Sequence, residues 1–265
     1  MEEFMKKIRS VIAAFIASWG MISDYPLPAF VIAPFKMQIP SATVLFCFPF
    51  TGALAGAVVW LFAFFCGIVF NQLAGALIFT LLSGFLFFFK DSGRGLSLLI
   101  SYAAARFSGA APVTALQNSS SNLNVVLKSP VIILLTGVAV MVILAMFFAL
   151  FYCGAGIWLA AVIGADAFVQ GRLCLEPDRN SKIPFIRTSG DGVKYLAASG
   201  ILLALIMVAV FPRIAALGAV VILWVWFWRE LPGSDEFRNG LSPDWISMCG
   251  FWAGILTLLC GMGLL

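Results

Sequence analysis

Residues 47–89 read CFPFTGALAGAVVWLFAFFCGIVFNQLAGALIFTLLSGFLFFF, without one charged side chain in the run. A helix needs about 20 apolar residues to cross a bilayer core. The run is therefore too long for one crossing and long enough for two. The adjacent amides Asn71-Gln72 divide it into spans at about 47–70 and 73–89. Pro49 falls near the first turn of the first span, where proline is tolerated. Gly52 and Gly56 make a GxxxG, which lets another helix approach closely. The hairpin points to membrane-spanning helices.

The rest of the chain agrees with it. Of 265 residues, 62% are hydrophobic, 11% are charged and none is histidine. A soluble domain carries charge at about 25% of positions. The apolar stretch Pro130 to Leu173 is too long for one helix, and Cys153-Gly154-Ala155-Gly156 is its natural break, giving 130–152 and 156–173. Tyr195 to Trp228 is too long again, and Phe211-Pro212-Arg213 divides it into 195–211 and 214–228. The last span is 245–265. The expected fold is all-α, a polytopic integral membrane protein of one domain with about seven transmembrane helices. A long polar-to-amphipathic stretch at 90–129 and polar loops at 174–194 and 229–244 join them.

Residues 1–20 stand apart as an amphipathic helix. Phe4, Ile8, Val11, Ile12, Phe15 and Trp19 recur at helical spacing, with Glu2, Glu3, Lys6, Lys7 and Arg9 on the remaining surface. That pattern suits a helix lying in the membrane interface; an ordinary packed amphipathic helix is the plainer alternative. Asp24-Tyr25-Pro26-Leu27-Pro28 ends it, because each proline disfavours the α conformation before it. No small-residue cleavage site follows a short apolar run, so no signal peptide is expected.

Charge gives an independent check. Threading seven spans puts residues 1–46, 90–129, 174–194 and 229–244 on one side. With Arg172 snorkelling to that face, fifteen of the 16 basic residues lie there, and only Arg213 lies opposite. By the positive-inside rule that face is cytoplasmic. The expected location is the cytoplasmic membrane of a bacterium or archaeon, with the N-terminus and larger loops inside. Eleven of 12 acidic residues share that face. The exception is Asp166, inside a span. A carboxylate at membrane depth is expensive and a functional candidate by default; the sober alternative is that Arg172 or Gln170 satisfies it.

Other chemistry is excluded by residue type. The six cysteines form no CxxC pair and have no histidine to complete a zinc site. Most lie in apolar runs, where cysteine acts as a small hydrophobe. There is no GxxxxGK[ST] and no HExxH, and without histidine no Ser-His-Asp triad is possible. No basic-aromatic platform recommends a nucleic-acid partner.

Four short segments, in order along nearly the whole chain, resemble the cobalamin synthase family, adenosylcobinamide-GDP ribazoletransferase. Pro26-Leu27-Pro28 is similar to its Arg-x-Pro-x-Pro segment, and Phe48-Pro49 through Gly56 to its Phe-Pro-x-x-Gly-x-x-x-Gly opening of the first long span. Lys90-Asp91-Ser92-Gly93 sits where the family has its acidic Asp-Gly-x-x-Asp-x-x-Asp-Gly motif. Gly240-Leu241-Ser242-Pro243-Asp244-Trp245 resembles a Gly-Leu-Thr-Gly-Asp-Thr segment opening the final helix. Departures fall on the acidic positions. Gly95 and Leu98 stand where later aspartates would be, and Phe251 and Gly254 near the family's following glutamates. Phe89 replaces a preceding histidine, and Asp24 replaces the arginine of the first segment.

The resemblance implies transfer of α-ribazole onto adenosylcobinamide-GDP with release of GMP, at the cytoplasmic face. Such phosphoryl chemistry rests on positioning and charge neutralisation. Asp91 and Asp244 are the implied catalytic and Mg²⁺-binding carboxylates. Lys90, Arg94, Lys128, Arg187 and Asp191, the last in a Gly190-Asp191-Gly192 turn, are the candidates for substrate binding. For the four basic residues, the plainer reading is that they obey the positive-inside rule. The implied partners are the lipid bilayer, a corrinoid nucleotide and ribazole, with a homo-oligomer or other membrane subunits as further possibilities. Two alternatives stay open: a catalytically degenerate relative acting as a membrane binding or assembly subunit, and a small-molecule transporter suggested by Asp166.

Overall fold

A computed structural model describes residues 2–23, 32, 41–90, 92–107, 109, 130–173, 191–210 and 243–263. The described residues form eight helices: α1 (Glu2–Ile22), α2 (Ser41–Val69), α3 (Gln72–Phe89), α4 (Arg94–Phe107), α5 (Pro130–Tyr152), α6 (Trp158–Leu173), α7 (Asp191–Val210) and α8 (Pro243–Met262). Three stretches, Thr43–Val69, Gln72–Phe89 and Ile133–Tyr152, are long and apolar enough to cross a membrane. Trp158–Gly171, Lys194–Met207 and Met248–Met262 are shorter apolar stretches.

The hairpin that opened the reading forms as expected. Asn71 caps α3, its side-chain oxygen accepting from the Ala74 amide at 2.7 Å. That bond satisfies one of the amides a helix start leaves unpaired. At the far turn of α5 and α6, the Gly154 (φ 81°) backbone takes the left-handed conformation that favours glycine.

Several boundaries differ from the sequence reading. α2 begins at Ser41, so Pro49 lies inside the helix rather than in its first turn. Tertiary packing overrides proline's preference, since Leu45, Phe48 and Pro49 are all buried. α4 occupies part of what was read as the loop 90–129; its apolar spacing was masked by flanking polar residues. α7 starts at Asp191, so Asp191-Gly192 belongs to a helix rather than a turn. The span at 214–228 lies outside the described residues.

α6 is the centre of the bundle. Its residues 158–171 are buried except for the half-buried Phe168, and α2, α7 and α8 all pack on it. The GxxxG of α2 makes the closest approach. A Cβ on Gly52 would overlap the Ile163 carbonyl, and one on Gly56 would lie 2.7 Å from the Leu159 carbonyl oxygen. α8 runs antiparallel to α6: Gly261 meets Trp158, Gly254 approaches Val162, and Gly250 meets Asp166. The Trp158 indole also donates to the Thr257 carbonyl at 2.9 Å. A phenylalanine cluster fills the gap to α3 and α5, with Phe87 stacked on Phe251 at 4.6 Å and edge-on to Phe147 at 5.8 Å.

The outward faces are apolar as well. Leu54, Val58, Phe62, Phe65 and Ile68 on α2, and Leu134, Val138 and Met141 on α5, are all exposed. Water-soluble surfaces rarely carry contiguous patches of this kind, whereas contact with lipid explains them. In α1 the fully buried residues facing the bundle are Ala13, Ala14 and Ser18, with Phe15 of the apolar stripe packed beside them. The Ser18 hydroxyl is shared between the Val44 carbonyl of α2 at 2.9 Å and the Ala14 carbonyl at 2.8 Å. Ile8, Val11 and Ile12 remain exposed beside Lys7 and Arg9.

Candidate functional site

The most costly group to bury in the described bundle is Asp166, fully enclosed on α6. Its Oδ2 forms an ion pair with Lys90 Nζ, and its Oδ1 accepts from Gln170 Nε2 at 2.8 Å. Lys90 closes α3 and is only 5% exposed. Its own carbonyl accepts from the Ser23 hydroxyl, just past α1, at 3.0 Å. On the fourth side stands Gly250 of α8, where a Cβ would overlap Asp166 Oδ1 and lie 2.7 Å from Gln170 Cγ. One buried polar node thus joins the end of α1, the end of α3, the middle of α6 and the first half of α8.

Each part is placed for a local reason. Asp166 and Gln170 are four apart on one helix, so their side chains share a face. Lys90 is the first charge after residues 47–89, and its aliphatic stem lets the ammonium reach back among apolar neighbours. Gly250 leaves the space that the two polar side chains of α6 occupy. An isolated buried charge is far more costly than a paired, hydrogen-bonded one. Lys90 supplies a cation directly beside this carboxylate.

Just beyond Lys90 the chain turns sharply. Ser92 (φ 57°) and Gly93 (φ 77°) are successive left-handed residues. For a serine that conformation costs roughly 1–2 kcal/mol. Two backbone bonds hold the turn, from the Ser92 amide to the Phe89 carbonyl and from the Ser97 amide to the Gly93 carbonyl, both 3.0 Å. Arg94 then opens α4 and is half-buried.

The structure sorts the expected site residues as follows. It brings Lys90 and Asp166 together, a pairing that sequence reasoning missed, and Gln170 contacts the carboxylate as expected. Lys90 thus directs its charge at Asp166 rather than outward. Asp91, Lys128 and Arg187 lie outside the described residues. Asp191 and Asp244 are placed by backbone alone, as the first residue of α7 and the second of α8. Asp244 is six residues before Gly250, roughly 9 Å along the helix. The described end of α3 and the start of α8 therefore lie at the same end of the bundle.

The positions where the resemblance would place further acidic residues are occupied by core. Leu98 is 3% exposed and packs with Val169, Met248, Cys249 and Ala253. Phe251 is 1% exposed within the phenylalanine cluster, and a Cβ on Gly254 would lie 2.5 Å from the Phe87 ring. Among the described residues no group of three or more Cys, Asp or Glu is close enough to hold a metal. A site of several carboxylates for Mg²⁺ does not fit these apolar positions.

The described fold is that of an all-helical protein with three helices long and apolar enough to cross a bilayer, and with a charged pair sealed inside the bundle. No family model, no curated protein and no solved structure matches the chain.

Proposed function

We propose that this chain is a seven-span membrane protein on the cobalamin-synthase plan that has lost catalysis and serves as a binding or assembly subunit. In this reading α1 lies in the cytoplasmic interface, and the bundle end beyond Lys90 binds a phosphate-bearing corrinoid nucleotide. The observation that carries it is the packing of Leu98 and Phe251, which fill with core the places where the family's reaction calls for carboxylates. Lys90 also has its charge neutralised by Asp166, which removes it from the cations that could hold a phosphate.

A second reading is favoured by the convergence of the end of α3 and the first half of α8 on Asp166. Here the chain still transfers ribazole: the ribazole hydroxyl oxygen bonds to the cobinamide-linked phosphorus, its proton leaves, and the bond from that phosphorus to GMP breaks. One experiment separates the two. Protein reconstituted in liposomes is given adenosylcobinamide-GDP, α-ribazole and Mg²⁺, with an active ribazoletransferase run in parallel. Saturable corrinoid binding without GMP release is expected. GMP release above the protein-free control would replace the first reading with the second, and no binding to folded protein would overturn both.

A further inference from the structure

The Lys90–Asp166 pair touches no ligand in either reading, yet it lies directly against the turn from which Arg94 and α4 depart. Three observations meet there. The pair and the Ser23–Lys90 bond fix the residue that caps the end of α3 from two sides. The next described residues, Ser92 and Gly93, hold left-handed backbone that an unsupported serine avoids. Two backbone bonds help to close this turn, anchored at Phe89 on one side and at the start of α4 on the other.

We infer that Asp166 is a positioning residue: through Lys90 it holds the Ser92–Gly93 turn closed and so sets how α4 presents Arg94. Asp166 acts from the middle of α6, where no ligand reaches, and its effect is transmitted through the Lys90 side chain to the backbone. The importance of the turn for ligand binding rests on the reading of this bundle end given above. The anchoring itself does not, and its test uses no ligand.

Hydrogen exchange resolved to short peptides, on full-length protein in lipid nanodiscs, reads the turn directly. The reporters are the Ser92 and Ser97 amides, and the comparison turn is Gly154–Ala155 at the opposite end, whose amides bond Phe151 and Leu150. In Asp166→Asn, exchange at Ser92 and Ser97 should rise by about tenfold or more, with the Gly154–Ala155 turn unchanged. The double variant Lys90→Met/Asp166→Asn removes both charges, so its melting temperature should recover towards wild type while the Ser92 turn stays open. Unchanged exchange at Ser92 and Ser97 in Asp166→Asn would overturn the inference. So would equal loosening of both turns, or protection that returns together with stability in the double variant. The corrinoid-binding experiment can fail without touching this result, and the reverse holds equally.

Discussion

Lys90, the last residue before a left-handed turn, places its ammonium on the carboxylate of Asp166 in the middle of the most enclosed helix. Both side chains are buried, and Gln170 donates a hydrogen bond to the same carboxylate. Two residues singled out for different reasons in the sequence, one as an intramembrane oddity and one as a phosphate ligand, turn out to be partners.

The space that holds this node depends on one glycine. Gly250→Ala should destabilise the protein by about 1–3 kcal/mol, because the added methyl overlaps Asp166 and Gln170. Gly137 on α5 has nothing within 4 Å of a Cβ, so Gly137→Ala should be neutral or gain up to about 1 kcal/mol from helix propensity. Thermal unfolding of the two variants in one detergent checks the contrast, and equal effects would mean that the node is not tightly packed.

Topology makes a prediction of its own. Cys153 is exposed in the α5–α6 turn, at the end of the bundle away from Lys90. With the basic face cytoplasmic, a membrane-impermeant maleimide should label Cys153 from outside intact cells, and Cys153→Ser should remove that labelling. Labelling only in inverted vesicles would reverse the orientation.

If any GMP release is detected, Asp91→Ala and Asp244→Ala should each lower it by at least about tenfold, a loss of about 1.4 kcal/mol in transition-state stabilisation. Asp235→Ala should leave it unchanged. Wild-type rates in both site variants would place the chemistry elsewhere.

Much of the fold was legible because bilayer-length apolar runs are a strong signal. The hairpin at Asn71-Gln72 and the span 130–152 match their helices closely, and the GxxxG does bring α2 against α6. Local signals failed where tertiary contacts decide. Pro49 suggested a first turn because proline is tolerated there, yet the helix runs back to Ser41 and packs Leu45 and Cys47 into the core. The amphipathic character of 90–129 was legible, but its short apolar spacing around Leu98, flanked by polar residues, did not mark out α4 as a separate helix. The Lys90–Asp166 pair joins residues far apart in sequence, which no periodicity reveals. One clue was available: a carboxylate inside a span needs a cation from the nearest helix end, and Lys90 closes the longest uncharged run in the chain.

A double-mutant cycle on Lys90 and Asp166 tests the core of this account most directly, with unfolding of the reconstituted protein as the readout. Lys90→Met and Asp166→Asn should each cost about 3–5 kcal/mol by leaving a buried charge unpaired, and the double variant should cost far less than their sum. Strictly additive effects, or single variants as stable as wild type, would contradict the buried pair on which the fold and the proposed site both rest.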